Sequence, residues 1–188
     1  MSVPIKNEDK YLSRISAGVF IIAVIFNLSG AIIANPGRTQ NICWEISSLC
    51  AVAGYATIAA KLVRDGHDLV ASGFAILLVA EGFAIASVSN PDRLDAATFG
   101  ACIALYLPGF LIIGIFSHFK WWTRLAAILL CIPFGIEAFN VLNGTKISFE
   151  HALQAIGYSL QMVVFIGLAV ELLKRPLSKK SELIAKPS

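Results

Sequence analysis

Few side chains in this chain are of types that do chemistry in apolar surroundings. Glu81 and Glu137 lie inside long apolar runs, while Glu45 and the Glu150-His151 pair stand at the start of two others. An ionisable group at the centre of a membrane helix costs about 2.5–3.5 kcal/mol on insertion scales, so each marks a candidate site. Glu81 lies nine residues before Asn90, and Glu137 six before Asn143. At helical rise those depths are about 13 and 9 Å from the turns. Glu45, Glu81, Glu137 and His151 all fall in one half of the spans. A histidine changes charge between about pH 5 and 8, so this set suits a response to external acid through altered packing or partner contact. A second reading has the carboxyl groups simply hydrogen-bonded between helices, with Asn27, Asn140, Gln154 and Gln161 as available partners. A third makes them part of a polar transport pathway.

Other chemistry has no signature. Gly-x-Ser-x-Gly, HExxH and P-loop patterns are absent. His67 and His118 belong to loops on one side and His151 to the other, so the three histidines make no metal site. Glu171 stands alone near the end of the last apolar run, within reach of Lys174 and Arg175. The four cysteines form no CxxC pair, and buried cysteine usually behaves as a small hydrophobe. Cys43 and Cys50 share a face but lie about 10 Å apart along it, beyond disulfide reach. Tyr55, Tyr106 and Tyr158 read as packing residues. No catalytic residue, metal site or cofactor is expected, and no enzyme activity.

The elements that must hold these residues follow from composition. Of 188 residues, 57% are hydrophobic and 14% charged, with mean hydropathy +0.75. A soluble domain is about 45–50% apolar and about 25% charged. The excess excludes a water-soluble enzyme, a disordered chain and a free nucleic-acid binder. Six runs are long enough to span a bilayer: about 13–34, 43–63, 68–89, 96–117, 121–142 and 151–173. Without strict alternation they are helices rather than barrel strands. Segment 1–12 precedes the transmembrane domain of 13–173, and a basic tail, 174–188, follows it.

Of the 15 basic residues, 12 lie on the side of the two termini. The positive-inside rule then makes both termini cytoplasmic. An uncleaved first span is expected, because that run is long for a signal peptide. The partners expected are the lipid bilayer and a second copy or a larger membrane complex, with no nucleic acid.

Three windows of the chain resemble one another. The 21 residues from Gly18 and the 21 from Gly73 share 7 positions, including Asn-Pro-x-Arg at the end. A third window, from Ala126, ends Asn-Gly-Thr-Lys. Proline stops a helix for want of a donor, and glycine through its freedom at positive φ. The repeats (about 13–64, 68–117 and 121–173) predict three parallel helical hairpins about an axis along the membrane normal. Arg38, Arg93 and Lys146 end the turns, where they anchor to lipid headgroups or form a ring of cations. Glu81 aligns with Phe26 and Phe134, and Glu137 with Ser29 and Ala84, so the acids are additions to the repeat.

On these residues (the glycine-bearing apolar helix, the Asn-Pro-x-Arg turn, the prompt restart of the next helix) the chain resembles the HdeD family of bacterial acid-resistance membrane proteins. The resemblance covers about 13–173, with Gly144 replacing the turn proline in the third repeat. It implies a non-enzymatic inner-membrane protein linked to acid stress. A small transporter or channel, and a structural subunit of a larger complex, remain the alternatives.

Overall fold

The computed structural model describes residues 5–33, 37–88, 96–144 and 152–174. Within them the chain is helical: α1 (Ile5–Ile32), α2 (Arg38–Arg64), α3 (Asp68–Val88), α4 (Ala96–Phe116), α5 (Trp121–Leu129), α6 (Cys131–Leu142) and α7 (Ala152–Lys174). Six helices, with α5 and α6 forming one of them, are long and apolar enough to cross a membrane. No strand occurs among the described residues. A chain with so many apolar residues facing outward, among them Ile21, Ile25, Leu49, Ile115, Ile132 and Ile166, is suited to lipid, where each helix satisfies its own backbone.

Three details differ from the spans read in sequence, the first being that α2 starts at Arg38 and not at 43. Helix α1 begins at Ile5, so part of segment 1–12 is helical. The fifth span is broken at Leu130, between α5 and α6. Pro133 lies just past the break and has no N–H to offer the carbonyl four residues back. Pro108, by contrast, sits within an uninterrupted α4.

The helices form a ring. Each packs on its neighbours in chain order, and α7 closes the ring on α5, α6 and α1. Among the described residues no helix approaches the one opposite it. The centre is therefore left to large side chains and to space. Close contacts around the ring depend on small residues, as expected where no hydrophobic force drives helices together in lipid. The α3–α4 seam is an example: a methyl group at Gly73 would lie 3.1 Å from the carbonyl of Gly109. Polar contacts add to the seams. Ser47 Oγ donates to the Ala23 carbonyl (2.8 Å) and Ser16 shares a hydrogen bond with Thr57 (2.7 Å).

The two ends differ. One carries the hairpin turns after α1, α3 and α6; the other carries the start of α1, the end of α7 and the loops after α2 and α4. They are called here the turn end and the termini end. At the termini end Arg124 donates to the carbonyls of Gly114 and Ile115 (2.8 Å each), capping the end of α4. Glu171 is not isolated there. Its Oε1 accepts from the Lys120 N–H (2.6 Å) and Thr123 Oγ1 (3.3 Å), so α7 caps the start of α5. Lys61 is buried beside Asp65, at 3.4 Å. At the turn end, Gly144 adopts φ +82°, the left-handed conformation expected of a turn glycine.

Candidate functional site

A cavity of about 670 Å³ occupies the ring at the turn end. That is within the range of about 300–1,000 Å³ usual for small-molecule sites. Five helices line it: α1 through Asn27, α2 through Trp44 and Ser48, α3 through Glu81, α4 through Tyr106, and α7 through Gln154, Tyr158, Gln161 and Phe165. Among the described lining residues Glu81 is the one acid, and there is no lysine, arginine or histidine.

Helix α7 organises the polar groups. Gln154 and Gln161 are seven residues apart, two helical turns, so they stack on one face about 10 Å from each other. Gln161 Nε2 donates to Glu81 Oε1 on α3 (3.0 Å). Gln154 Nε2 donates to Glu137 Oε1 on α6 (2.9 Å). Glu81 and Glu137 are 2% and 1% exposed, and the two glutamines are equally buried. The hydroxyls of Tyr106 and Ser48, on the same cavity wall, are further donors available to the Glu81 carboxyl group. All three of these donors are neutral. Gln154 Oε1 is buried and accepts no hydrogen bond among the described residues.

Aromatic rings close the cavity from below. Phe165 lies at the cavity wall and packs on Phe20 (centroids 5.2 Å apart) and Tyr55 (5.8 Å). Tyr55 packs on Phe74 (5.9 Å), and Phe74 on Phe119 (6.1 Å). Phe119 in turn lines a smaller cavity, about 150 Å³, at the termini end, with His67, His118 and Glu171. The column Phe165–Tyr55–Phe74–Phe119 thus separates two cavities at opposite ends of the ring. The rings of His67 and His118, from two different loops, meet edge to face with centroids 5.4 Å apart. No cluster of histidine, cysteine and acidic side chains suited to a metal ion occurs among the described residues.

The residues singled out in the sequence are placed unequally. Glu81 and Glu137 are buried, and Gln161 and Gln154 are their partners. Asn27 lines the cavity and Asn140 is half-buried on α6. Glu45 is half-buried on α2 and off the cavity wall. Arg38 is exposed at the first residue of α2. His151, Arg93 and Lys146 lie outside the described residues. Sequence reasoning missed Tyr106 and Ser48 as partners of Glu81; Tyr106 read as packing, and a lone serine carries no signal. All four cysteines are free thiols, in keeping with the Cys43–Cys50 spacing. No protein-family model, curated protein or solved structure matches the chain.

Proposed function

We propose that the protein is a membrane carrier that exchanges a proton for a small organic cation at Glu81. The observation that supports this is the setting of that carboxyl group. It is buried, it lines a cavity, and its hydrogen-bond partners are neutral. An ionised carboxylate removed from water without a countercharge is too costly to persist. Its charge has to be met by a proton or by a cationic ligand. In the empty site Glu81 carries the proton. An ammonium group arriving at Glu81 displaces it to solvent, and the carboxylate keeps its three donors. Trp44, Tyr106 and Tyr158 offer the ligand aromatic faces, which attract cations. The second cavity, behind the aromatic column, gives the exchange a far side to reach.

With the basic residues gathered at the termini end, the positive-inside rule turns the Glu81 cavity outward and places both termini in the cytoplasm. In that orientation the same proton would answer external acid, the role that the HdeD resemblance implies. The three-hairpin repeat would then supply the scaffold, with Glu81 an addition peculiar to the second unit.

The test is calorimetric titration of the purified protein with 2-phenylethylammonium in two buffers of different ionisation heat. Wild type is expected to bind and to release close to one proton per amine. Glu81→Gln is expected to release none and to bind at least tenfold more weakly. Absence of binding, or equal binding by both proteins without proton release, refutes the proposal.

A further inference from the structure

The cavity is not closed evenly around its rim. On α1 the stripe facing the ring centre runs Phe20, Val24, Asn27, Ala31, at spacings of three and four residues. Phe20 is 0% and Val24 9% exposed, but Asn27 is half-buried and Ala31 is exposed. One continuous face therefore passes from core to open space as it nears the turn end. On α7 the cavity wall turns the same way. It starts at Gln161, which faces the centre, and swings through Met162 and Ala155 to Ser159, on the flank away from α6. Ala155 and Ser159 are exposed. Gly157, on the opposite flank, stays packed on the ring of Phe134 from α6.

The opening is thus a slit between α1 and α7. Helix α1 has not drifted from its other neighbour. Gly30 sits against the Trp44 indole, where a methyl group would lie 2.6 Å from Nε1, and Gln40 Nε2 donates to the Gly30 carbonyl at 3.0 Å. Lower down, Phe20 and Phe165 hold α1 and α7 together. Ser159 is seven residues past the start of α7, so the slit descends about 10 Å along the helix. The flanks beside it carry Leu28 and Ile32 on α1 and Ile156 and Val163 on α7, all exposed. Those are faces for lipid, so the slit opens on the acyl region as well as on the turn end.

We propose that the slit between α1 and α7 admits single-chain alkylammonium amphiphiles from the bilayer. The ammonium head seats at Glu81, and the chain leaves past Met162 and Ala155 into lipid. This rests on the reading of Glu81 as a cation site and adds the source and shape of the cation. An amphiphile of this kind is concentrated in the membrane, and its chain need not leave lipid for the head to bind. An anionic amphiphile is disfavoured at Glu81, because the described lining residues include a carboxyl group and no basic one.

The experiment uses the full chain in phosphatidylcholine nanodiscs, with 2-phenylethylammonium as the short probe and dodecylammonium as the long one, counted by its concentration in the bilayer. Dodecylammonium is expected to displace the short probe, and dodecanoate is not. A dodecylamine carrying a diazirine in its chain is expected to label α1 and α7 around Ala31 and Ser159. In the double variant Ala31→Phe/Ser159→Phe, the affinity ratio of long to short probe is expected to fall tenfold or more. Labelling of unmodified protein decides the matter if that variant does not fold. Binding of the short probe without displacement by the long one, or labelling confined to other helices, overturns the lateral route and leaves the cation site standing. Failure of both amines to bind overturns the two together.

Discussion

Replacing Gln161 by leucine reports the charge on Glu81. The Gln161–Glu81 contact is a buried hydrogen bond of 3.0 Å between α7 and α3. A bond between neutral groups contributes about 0.5–1.5 kcal/mol, and one to a charged group about 1.5–3. Measured interhelical bonds in a membrane protein average about 0.6 kcal/mol. If Glu81 is protonated in the empty site, the coupling between Gln161→Leu and Glu81→Leu should be about 1 kcal/mol or less in a double-mutant cycle. When an ammonium ligand binds, Glu81 becomes a carboxylate and the same bond becomes charge-assisted. The bond gains about 1–1.5 kcal/mol, so Gln161→Leu should weaken 2-phenylethylammonium binding roughly five- to tenfold. The assay is reversible unfolding in mixed micelles for the cycle, and titration for the ligand. A coupling above about 2 kcal/mol in the empty protein would refute the reasoning, since it would mean an ionised Glu81 without a bound cation.

Three further outcomes are expected. Phe165→Ala removes a ring from the top of the aromatic column; it should cost about 3–5 kcal/mol in micellar unfolding and raise proton leak into liposomes, and a loss under 1 kcal/mol would mean that the column is not packed. Gly157→Ala places a methyl group against Phe134, itself held between Tyr106 and Tyr158 at 5.3 Å from each; overpacking should cost about 1–3 kcal/mol in the same assay, and an unchanged midpoint would show that Phe134 is free to move. Glu171→Ala removes the acceptor at the start of α5; the loss should be about 0.5–2 kcal/mol, and none at all would mean that solvent satisfies the Lys120 N–H equally well.

The spans are legible because a bilayer imposes a length, and five of the six both begin and end within a few residues of the runs read in sequence. The α2 start was read late, at 43 instead of Arg38, because its first turn is polar. The break at Leu130 is only half visible in sequence: Pro133 lies beside it, but Pro108 is an equal interior proline and α4 runs through it. What separates them is packing, which composition does not encode. At the site, the glutamines were legible as partners because amides are scarce in these runs. Their assignment, Gln161 to Glu81 and Gln154 to Glu137, depends on which helix closes the ring. Tyr106 was hidden by its double nature, since its ring stacks on Phe134 (5.3 Å) while its hydroxyl reaches Glu81. The meeting of His67 with His118 was hidden too, because two loops on one side need not touch.

The ring closes with the last helix, and that sets an order on the ribosome. Glu81 and Gln161 are 80 residues apart in the chain, and Glu137 and Gln154 are 17. At about 5–20 residues per second of synthesis, Glu81 waits about 4–16 seconds for its amide, whereas Glu137 waits about 1–3. During that interval the carboxyl group on α3 has the hydroxyls of Ser48 and Tyr106 available but no amide from α7. A nascent chain cut short before α7 therefore exposes the very group that the finished ring conceals. Membrane proteases and insertion factors that sense polar residues in lipid would have a ready mark for distinguishing the incomplete protein from the complete one.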